Sequence, residues 1–89
     1  MKPFEGLFGN TAETRLIQFL LGLEDMPFTK EELAQEMEVS EGKAEMVIKT
    51  MLRFGVLKEK GGYYIANKDS EILKAVEDIN NVLISILYL

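Results

Sequence analysis

Residues 28–57 constrain the fold more strongly than any other segment, because signals that start and stop helices follow one another closely there. Thr29 and Glu32 match a capping box, in which the threonine hydroxyl accepts from a backbone N–H one turn into the helix and the carboxylate reaches back to the cap's own N–H. The pattern predicts a helix that starts near Lys30, and the apolar residues keep a helical period as far as Met37. One short helix is therefore expected here, with a second following closely.

The second helix, at about 41–54, is predicted to begin after Ser40, a good N-cap residue, and to stop before Gly55. Successive residues lie about 100° apart around a helix, so the spacing predicts which side is buried. The buried side is expected to comprise Ala44, Val47, Ile48, Met51 and Phe54. The exposed side is expected to comprise Gly42, Glu45, Met46, Lys49, Thr50 and Arg53.

A β-hairpin is predicted directly after this helix. Residues 56–60 and 63–66 fit two short strands, and Gly61 and Gly62 between them have the length and residue type of a two-residue hairpin turn. Tyr63 and Tyr64 must point to opposite faces of their strand, so one is expected against the core and the other exposed.

Residues 7–67 resemble winged helix-turn-helix proteins, and within that class the small archaeal transcription regulators. The matching elements are the Thr29 capping box with Leu33 and Ala34, the Val39-Ser40 turn, the helix end from Met51 to Leu57, the hairpin, and the opening from Leu7 to Arg15. The resemblance implies a mainly α fold with a small β-hairpin wing, over residues 10–68. It also implies a transcriptional regulator that reads duplex DNA with the recognition helix (about 41–54) and wing (about 56–66).

Two departures from that family pattern bear on function. Glu38 stands where such turns usually carry glycine, so either Glu38 is left-handed or the turn differs. Glu41, Gly42, Glu45 and Met46 stand where DNA-binding members favour Arg, Ser, Thr and Gln. An alternative therefore stays open, in which the domain is a protein–protein interaction module without DNA binding.

The distribution of charge favours DNA over the alternative. The chain has a net charge of −5, but residues 39–68 carry six bases and three acids, a net charge of +3. DNA affinity depends largely on cations that neutralise phosphates, so the positive segment is the expected contact. The candidate DNA-binding residues are Ser40, Gly42, Lys43, Glu45, Met46, Lys49, Thr50, Arg53, Lys58 and Lys60.

Composition limits the other classes of function. A chain of 89 residues makes one small domain, and it contains no cysteine and no histidine. The commonest general base, nucleophiles and zinc ligands are therefore missing, so we expect no enzyme activity, no cofactor and no metal. No signal peptide and no membrane-length apolar run is visible, and a cytoplasmic location is expected.

The flanking segments are predicted to complete the domain and to pair it. Residues 1–9 are expected to be an N-terminal arm, and Asn10 with Glu13 is expected to cap a first helix that ends before Pro27. Residues 69–89 are expected to form a last helix, capped by Asn67 or Asp69. Its apolar residues predict a homodimer interface of Ile72, Val76, Ile79, Leu83, Ile86 and Leu87, which would set two recognition helices roughly 34 Å apart.

Overall fold

A computed structural model of the protein describes residues 3–23 and 25–88, so Met1 and Lys2 of the predicted arm, Glu24, and Leu89 of the last helix lie outside the described residues. The described part of the chain is mainly helical, with one two-stranded antiparallel sheet. Its elements are α1 (Pro3–Phe8), α2 (Ala12–Leu20), α3 (Lys30–Met37), α4 (Glu41–Arg53), β1 (Leu57–Lys60), β2 (Tyr63–Ala66) and α5 (Glu71–Leu87). Part of the predicted arm is thus the short helix α1.

The predicted cap of α2 was wrong by one residue. The capping box is formed by Thr11 and Thr14: Thr11 Oγ1 accepts from the Thr14 N–H (3.1 Å), and the Thr11 N–H donates to Thr14 Oγ1 (2.8 Å). Asn10 is occupied elsewhere, because its Oδ1 accepts a hydrogen bond from Arg15 Nη1 at 2.7 Å. A threonine can therefore serve at the third position of the box, where the sequence pattern sought a glutamate.

The junction between α3 and α4 forms as predicted. Thr29 and Glu32 make both hydrogen bonds of the capping box (3.1 and 2.9 Å), and the Ser40 hydroxyl accepts from the Lys43 N–H at 3.2 Å. Glu38 is left-handed, with φ 58° and ψ 44°, in a position where glycine is usual. The turn therefore keeps the glycine-type geometry although it carries a side chain.

The core lies between α2, α3 and α4, and the first residues after α4 close it. Its largest fully buried side chains are Leu16, Leu20, Leu33, Met37, Ile48, Val56 and Leu57. The predicted burial of Phe54 was wrong, since this residue is 61% exposed. The prediction assumed that the helix continued through Phe54, but α4 ends at Arg53 and Phe54 is its C-cap. Gly55 (φ 75°) then redirects the chain, so Val56 and Leu57 enter the core instead.

The hairpin has the predicted turn and alternation. Gly61 and Gly62 both have positive φ (59° and 84°), as a tight two-residue hairpin turn requires. Tyr64 packs against the core and is bridged to Phe28 by two backbone hydrogen bonds of 2.8 Å, whereas Tyr63 is exposed. The exposed Lys58 and Lys60 pair in register with Ile65 and Tyr63.

Helix α5 starts later than predicted. Ser70 is its N-cap and accepts from the Leu73 N–H at 3.1 Å, so the expectation of Asn67 or Asp69 was wrong. Asn67 is used differently, because its side-chain amide donates to the Gly55 carbonyl at 2.7 Å and ties the hairpin exit to the end of α4. Helix α1 packs on α5, yet no residue of α5 is fully buried. Among the described residues, no helix is both long and apolar enough to cross a membrane.

The left-handed residue at the α3–α4 turn gives a first prediction. We expect Glu38→Gly to raise the free energy of unfolding by about 0.5–1 kcal/mol, because glycine adopts this conformation without strain. The substitution also removes an ion pair (3.6 Å) between the exposed Glu38 carboxylate and the largely buried Arg15 guanidinium. Arg15 keeps its hydrogen bonds to Met37 and Asn10, so this loss should offset little of the gain. Urea denaturation measures the difference, and Glu36→Gly, in the body of the same helix, should lower stability by a similar amount. Equal destabilisation by both substitutions would contradict the prediction.

Candidate nucleic-acid interface

One line of exposed residues runs along the whole of α4. Gly42, Met46, Lys49 and Arg53 recur at steps of four, three and four, so they form a continuous ridge on the side opposite the core. All four are exposed, as the sequence predicted, and Met46 is 65% exposed. We call these residues the α4 ridge. A ridge on a single straight helix is a shape that a groove in a partner can receive.

The ridge is bordered on one side by Glu45, which lies between two lysines. Its carboxylate is 3.6 Å from Lys49 Nζ and 3.9 Å from Lys30 Nζ on α3. All three side chains are at least one-third exposed, so water screens these contacts and each contributes only a few tenths of a kcal/mol. Lys49 is therefore partly neutralised in the free protein but can exchange its partner at little cost.

Some of the other predicted residues of α4 make hydrogen bonds within the helix, and others have exposed charged side chains. Ser40 acts as the N-cap of the helix, and the Thr50 hydroxyl donates back to the Met46 carbonyl at 3.2 Å. Arg53 is exposed, and its guanidinium carbon lies 5.9 Å from the centre of the Phe54 ring. Lys43 is exposed in the first turn and has no ion pair within residues 3–23 and 25–88.

Two lysines stand on the outer face of the hairpin. Lys58 and Lys60 are two residues apart on β1, so they share the face turned away from Leu57 and the core. Both are exposed, and neither forms an ion pair with another described residue. The Val56 N–H donates to the Met51 carbonyl at 2.8 Å, so the hairpin starts directly against the end of α4. The chain thus places two cations without an ion pair among the described residues on an element that adjoins the C-terminal end of α4.

An acidic border limits this positive area near the start of α4. Glu31 at the start of α3 has a lowered pKa, caused first by hydrogen bonding with the backbone at that helix N-terminus, and Glu41 is the first residue of α4. Both residues are exposed. An anionic partner is therefore favoured most by the later turns of α4 and by the hairpin, whereas in the first turn of α4 the charge of Glu41 offsets that of Lys43.

Three features of this surface were not visible in the sequence. Lys30 approaches Glu45 only through the packing of α3 on α4, and Phe54 is exposed only because α4 ends one residue earlier than its periodicity suggested. Lys68 was counted in the positive segment, yet its ammonium lies 2.6 Å from the Asp25 carboxylate. A contact between residues 43 positions apart has no local signal in the sequence.

The predicted dimer residues of α5 are not equally available. Ile72, Ile79, Ile86 and Leu87 are exposed, and Ile86 reaches 65%. Val76 and Leu83 are half-buried, so they lie on the side of the helix turned toward the rest of the chain. The structure therefore divides the predicted heptad seam into an outward part and an inward part.

No protein-family model matches the chain, and comparisons with curated proteins and with solved structures found no match. Among the described residues, no group of three or more histidine, cysteine, aspartate or glutamate side chains is arranged to hold a metal ion.

Gly42 gives the prediction that follows from the geometry of the α4 ridge. A Cβ atom at this position would meet no atom within 4 Å, and the backbone is ordinary helix, so nothing in the chain requires glycine there. We expect Gly42→Ala to raise the free energy of unfolding by about 0.5 kcal/mol, because alanine loses less backbone entropy on folding.

The matched control is Gly61→Ala in the hairpin turn. This position also has open space, but its φ of 59° is strained for alanine, so the substitution should lower stability. Thermal unfolding of both variants measures the two changes, and a loss of stability in Gly42→Ala would show that the glycine is needed for the fold itself.

Proposed function

We propose that residues 10–68 form a winged helix-turn-helix domain that binds duplex DNA as a transcriptional regulator, with α4 as the recognition helix and the β1–β2 hairpin as the wing. The observation that carries the proposal is the set of exposed cations on these two adjoining elements, Lys43, Lys49, Arg53, Lys58 and Lys60, in an otherwise acidic chain. Cations in such a patch release counterions from the phosphates that they neutralise.

The α4 ridge supports the proposal in shape as well as charge. An α-helix fits the major groove of B-DNA, and the exposed side chains of a ridge are the ones that reach base edges. The open space at Gly42 suits close approach of the helix backbone to a groove wall. The paired lysines of the hairpin suit phosphate contacts, which fix orientation without reading sequence.

We propose that the DNA-binding form is a homodimer held by α5. Nine of the thirteen large apolar side chains that are exposed among the described residues belong to α1, to α5 or to Tyr88, the C-cap of α5. Monomeric proteins in water rarely expose so many large apolar side chains on neighbouring helices. A dimer also brings two sets of phosphate contacts to one duplex, so a domain with few cations gains affinity through avidity.

A second candidate function is docking of a protein partner on the same surface. The observation that favours it is the exposure of two large apolar side chains on or beside the α4 ridge, Met46 (65%) and Phe54 (61%). Apolar contacts resist salt, whereas phosphate contacts do not. Titration of random duplex DNA at several salt concentrations therefore separates the two functions, since only the DNA binder shows affinity that falls steeply with salt.

Substitutions on and beside the α4 ridge should either weaken or strengthen DNA binding, depending on the charge that they remove. We expect Lys49→Ala with Arg53→Ala to weaken duplex binding and to reduce the salt slope by about one unit for each phosphate that is no longer neutralised. Glu45→Gln should strengthen binding, because it removes a negative charge and releases Lys49. Fluorescence anisotropy across a salt series gives both quantities.

The control for these variants is Lys74→Ala on the exposed side of α5, which removes one positive charge far along the chain from the ridge. It should leave the salt slope unchanged. If the Lys49 and Arg53 double variant bound as the unmodified protein does, the contact would have to lie outside α4.

The hairpin should act on affinity without acting on sequence preference. We expect Lys58→Glu with Lys60→Glu to weaken binding to all duplexes alike, because phosphate contacts position the protein rather than specify bases. Competition between two unrelated duplexes measures the preference, and a gel shift measures the affinity. A charge-reversed protein that still shifts DNA normally would exclude the hairpin as a contact, and unchanged capture of a protein partner would favour the docking function.

A further inference from the structure

The apolar side of α5 consists of two adjacent ridges with different environments. The inner ridge comprises Leu73, Val76, Asn80 and Leu83, which are half-buried and recur at steps of three, four and three. Leu73 packs against the core, so this ridge faces the rest of the chain. The outer ridge comprises Ile72, Ala75, Ile79, Val82 and Ile86, which are all exposed.

The outer ridge has the spacing of a coiled-coil seam. Its steps of three, four, three and four are those between the a and d positions of a heptad repeat. Isoleucine occupies one of these two positions in every heptad (72, 79 and 86), and the smaller Ala75 and Val82 occupy the other. The seam predicted from the sequence used Val76 and Leu83, which the fold has turned inward. The surface available to a partner is therefore rotated around the helix from the predicted one, while it keeps the heptad repeat.

Charge is confined to the first half of α5 and the residues just before it. Residues 69–78 carry Asp69, Glu71, Glu77 and Asp78 against Lys74, a net charge of −3, and residues 79–88 carry no charged side chain. Lys74, Glu77 and Asn81 lie on the side away from the outer ridge, whereas Glu71 and Asp78 flank it, so the acidic charge of one helix comes close to the helix that covers this ridge.

We infer that the outer ridge binds the outer ridge of a second copy of this chain, with the two α5 helices antiparallel. This inference rests on the homodimer proposed above and assigns its contact surface and its direction. In this arrangement Ile79 packs beside Val82 of the second copy and Ala75 beside its Ile86, and the two-fold axis passes between positions 80 and 81.

Electrostatics select the antiparallel direction. Parallel helices packed about 10 Å apart would bring the two segments of charge −3 side by side. Antiparallel helices place each acidic half beside an uncharged half, and a rise of about 1.5 Å per residue separates the centres of the acidic halves by about 21 Å. That distance exceeds the Debye length of about 8 Å at physiological salt, so the repulsion is largely screened.

Side-chain volume favours the same direction. A parallel pair would set Ala75 against its own copy and leave a gap between layers of isoleucine. The antiparallel register sets this small residue against Ile86, so that large and small side chains face each other along the seam. Leu7 and Phe8, exposed on α1, lie on the helix that packs against α5, so they can extend the contact beyond the two helices.

Cross-linking tests the direction, because the chain contains no natural cysteine. Ala75→Cys and Ile86→Cys are made as separate full-length variants and oxidised alone and as an equal mixture. We expect the mixture to give the disulfide heterodimer and each variant alone to give little dimer, since disulfides form only between Cα atoms less than about 7 Å apart. Efficient cross-linking of Ala75→Cys with itself would show a parallel pair and overturn the inference.

Measurements of self-association test whether the outer ridge is the contact surface. Val82→Asp should weaken self-association measured by sedimentation about tenfold or more, because it places an unpaired charge in the seam. Asn81→Asp makes a similar acidic change one residue away, on the polar side, and should leave association unchanged. Equal effects of the two substitutions, or a monomeric unmodified protein at tens of micromolar, where an association of about micromolar strength would be populated, would overturn the inference.

DNA binding is measured on the same samples, so that the two proposals fail separately. A cross-linked antiparallel dimer that binds no duplex would leave the inference standing and overturn the proposed function. Duplex binding by a protein that stays monomeric would overturn the inference and leave DNA contact by α4 standing. Circular dichroism of Val82→Asp establishes that it is folded, and the cysteine variants give the direction independently of it.

Discussion

The rest of the structure depends on the hydrogen bonds made by the last backbone carbonyls of α3. The chain must turn there, because α4 begins only a few residues later. The left-handed Glu38 turns the chain, and the Val39 N–H donates back to the Ala34 carbonyl at 3.1 Å. The Arg15 guanidinium donates from α2 to the Met37 carbonyl at 2.6 Å. A carbonyl that the helix leaves open is thus bound by a neighbouring helix, which ties the orientation of α2 to the direction in which α4 departs.

That junction decides which side of α4 faces solvent. With Ala44, Val47, Ile48 and Met51 directed into the core, the α4 ridge is exposed along the full length of the helix. The end of α4 then fixes the hairpin, since Gly55 redirects the chain and Asn67 binds the Gly55 carbonyl from the far side of β2. The exposed cations of α4 and the hairpin are therefore held on one connected framework, which is what the proposed DNA contact requires.

The features predicted correctly from the sequence are those governed by local chemistry. Thr29 with Glu32, Ser40 and the Gly61-Gly62 turn each act within a few residues, and each forms as its pattern indicates. The errors arise where a residue has a competing partner or where an element ends early. Asn67 was expected to cap α5 but binds Gly55, and Phe54 was expected in the core but lies past the end of α4. The approach of Lys30 to Glu45 depends on helix packing, which no short pattern encodes.

The division of α5 into two ridges links the size of the domain to its proposed assembly. A domain of this size has little core with which to cover a broad apolar helix, and here the intramolecular contacts cover the inner ridge more completely than the outer one. Ile86 is 65% exposed, and with the partly covered Ile72 (39%) and Ile79 (38%) it places isoleucine at three successive heptad positions of the outer ridge. In an isolated monomer the exposed part of this surface stays in water, and the proposed pairing is an arrangement that would bury it. The acidic charge of the same chain then favours a pairing in which the charged halves of α5 lie apart.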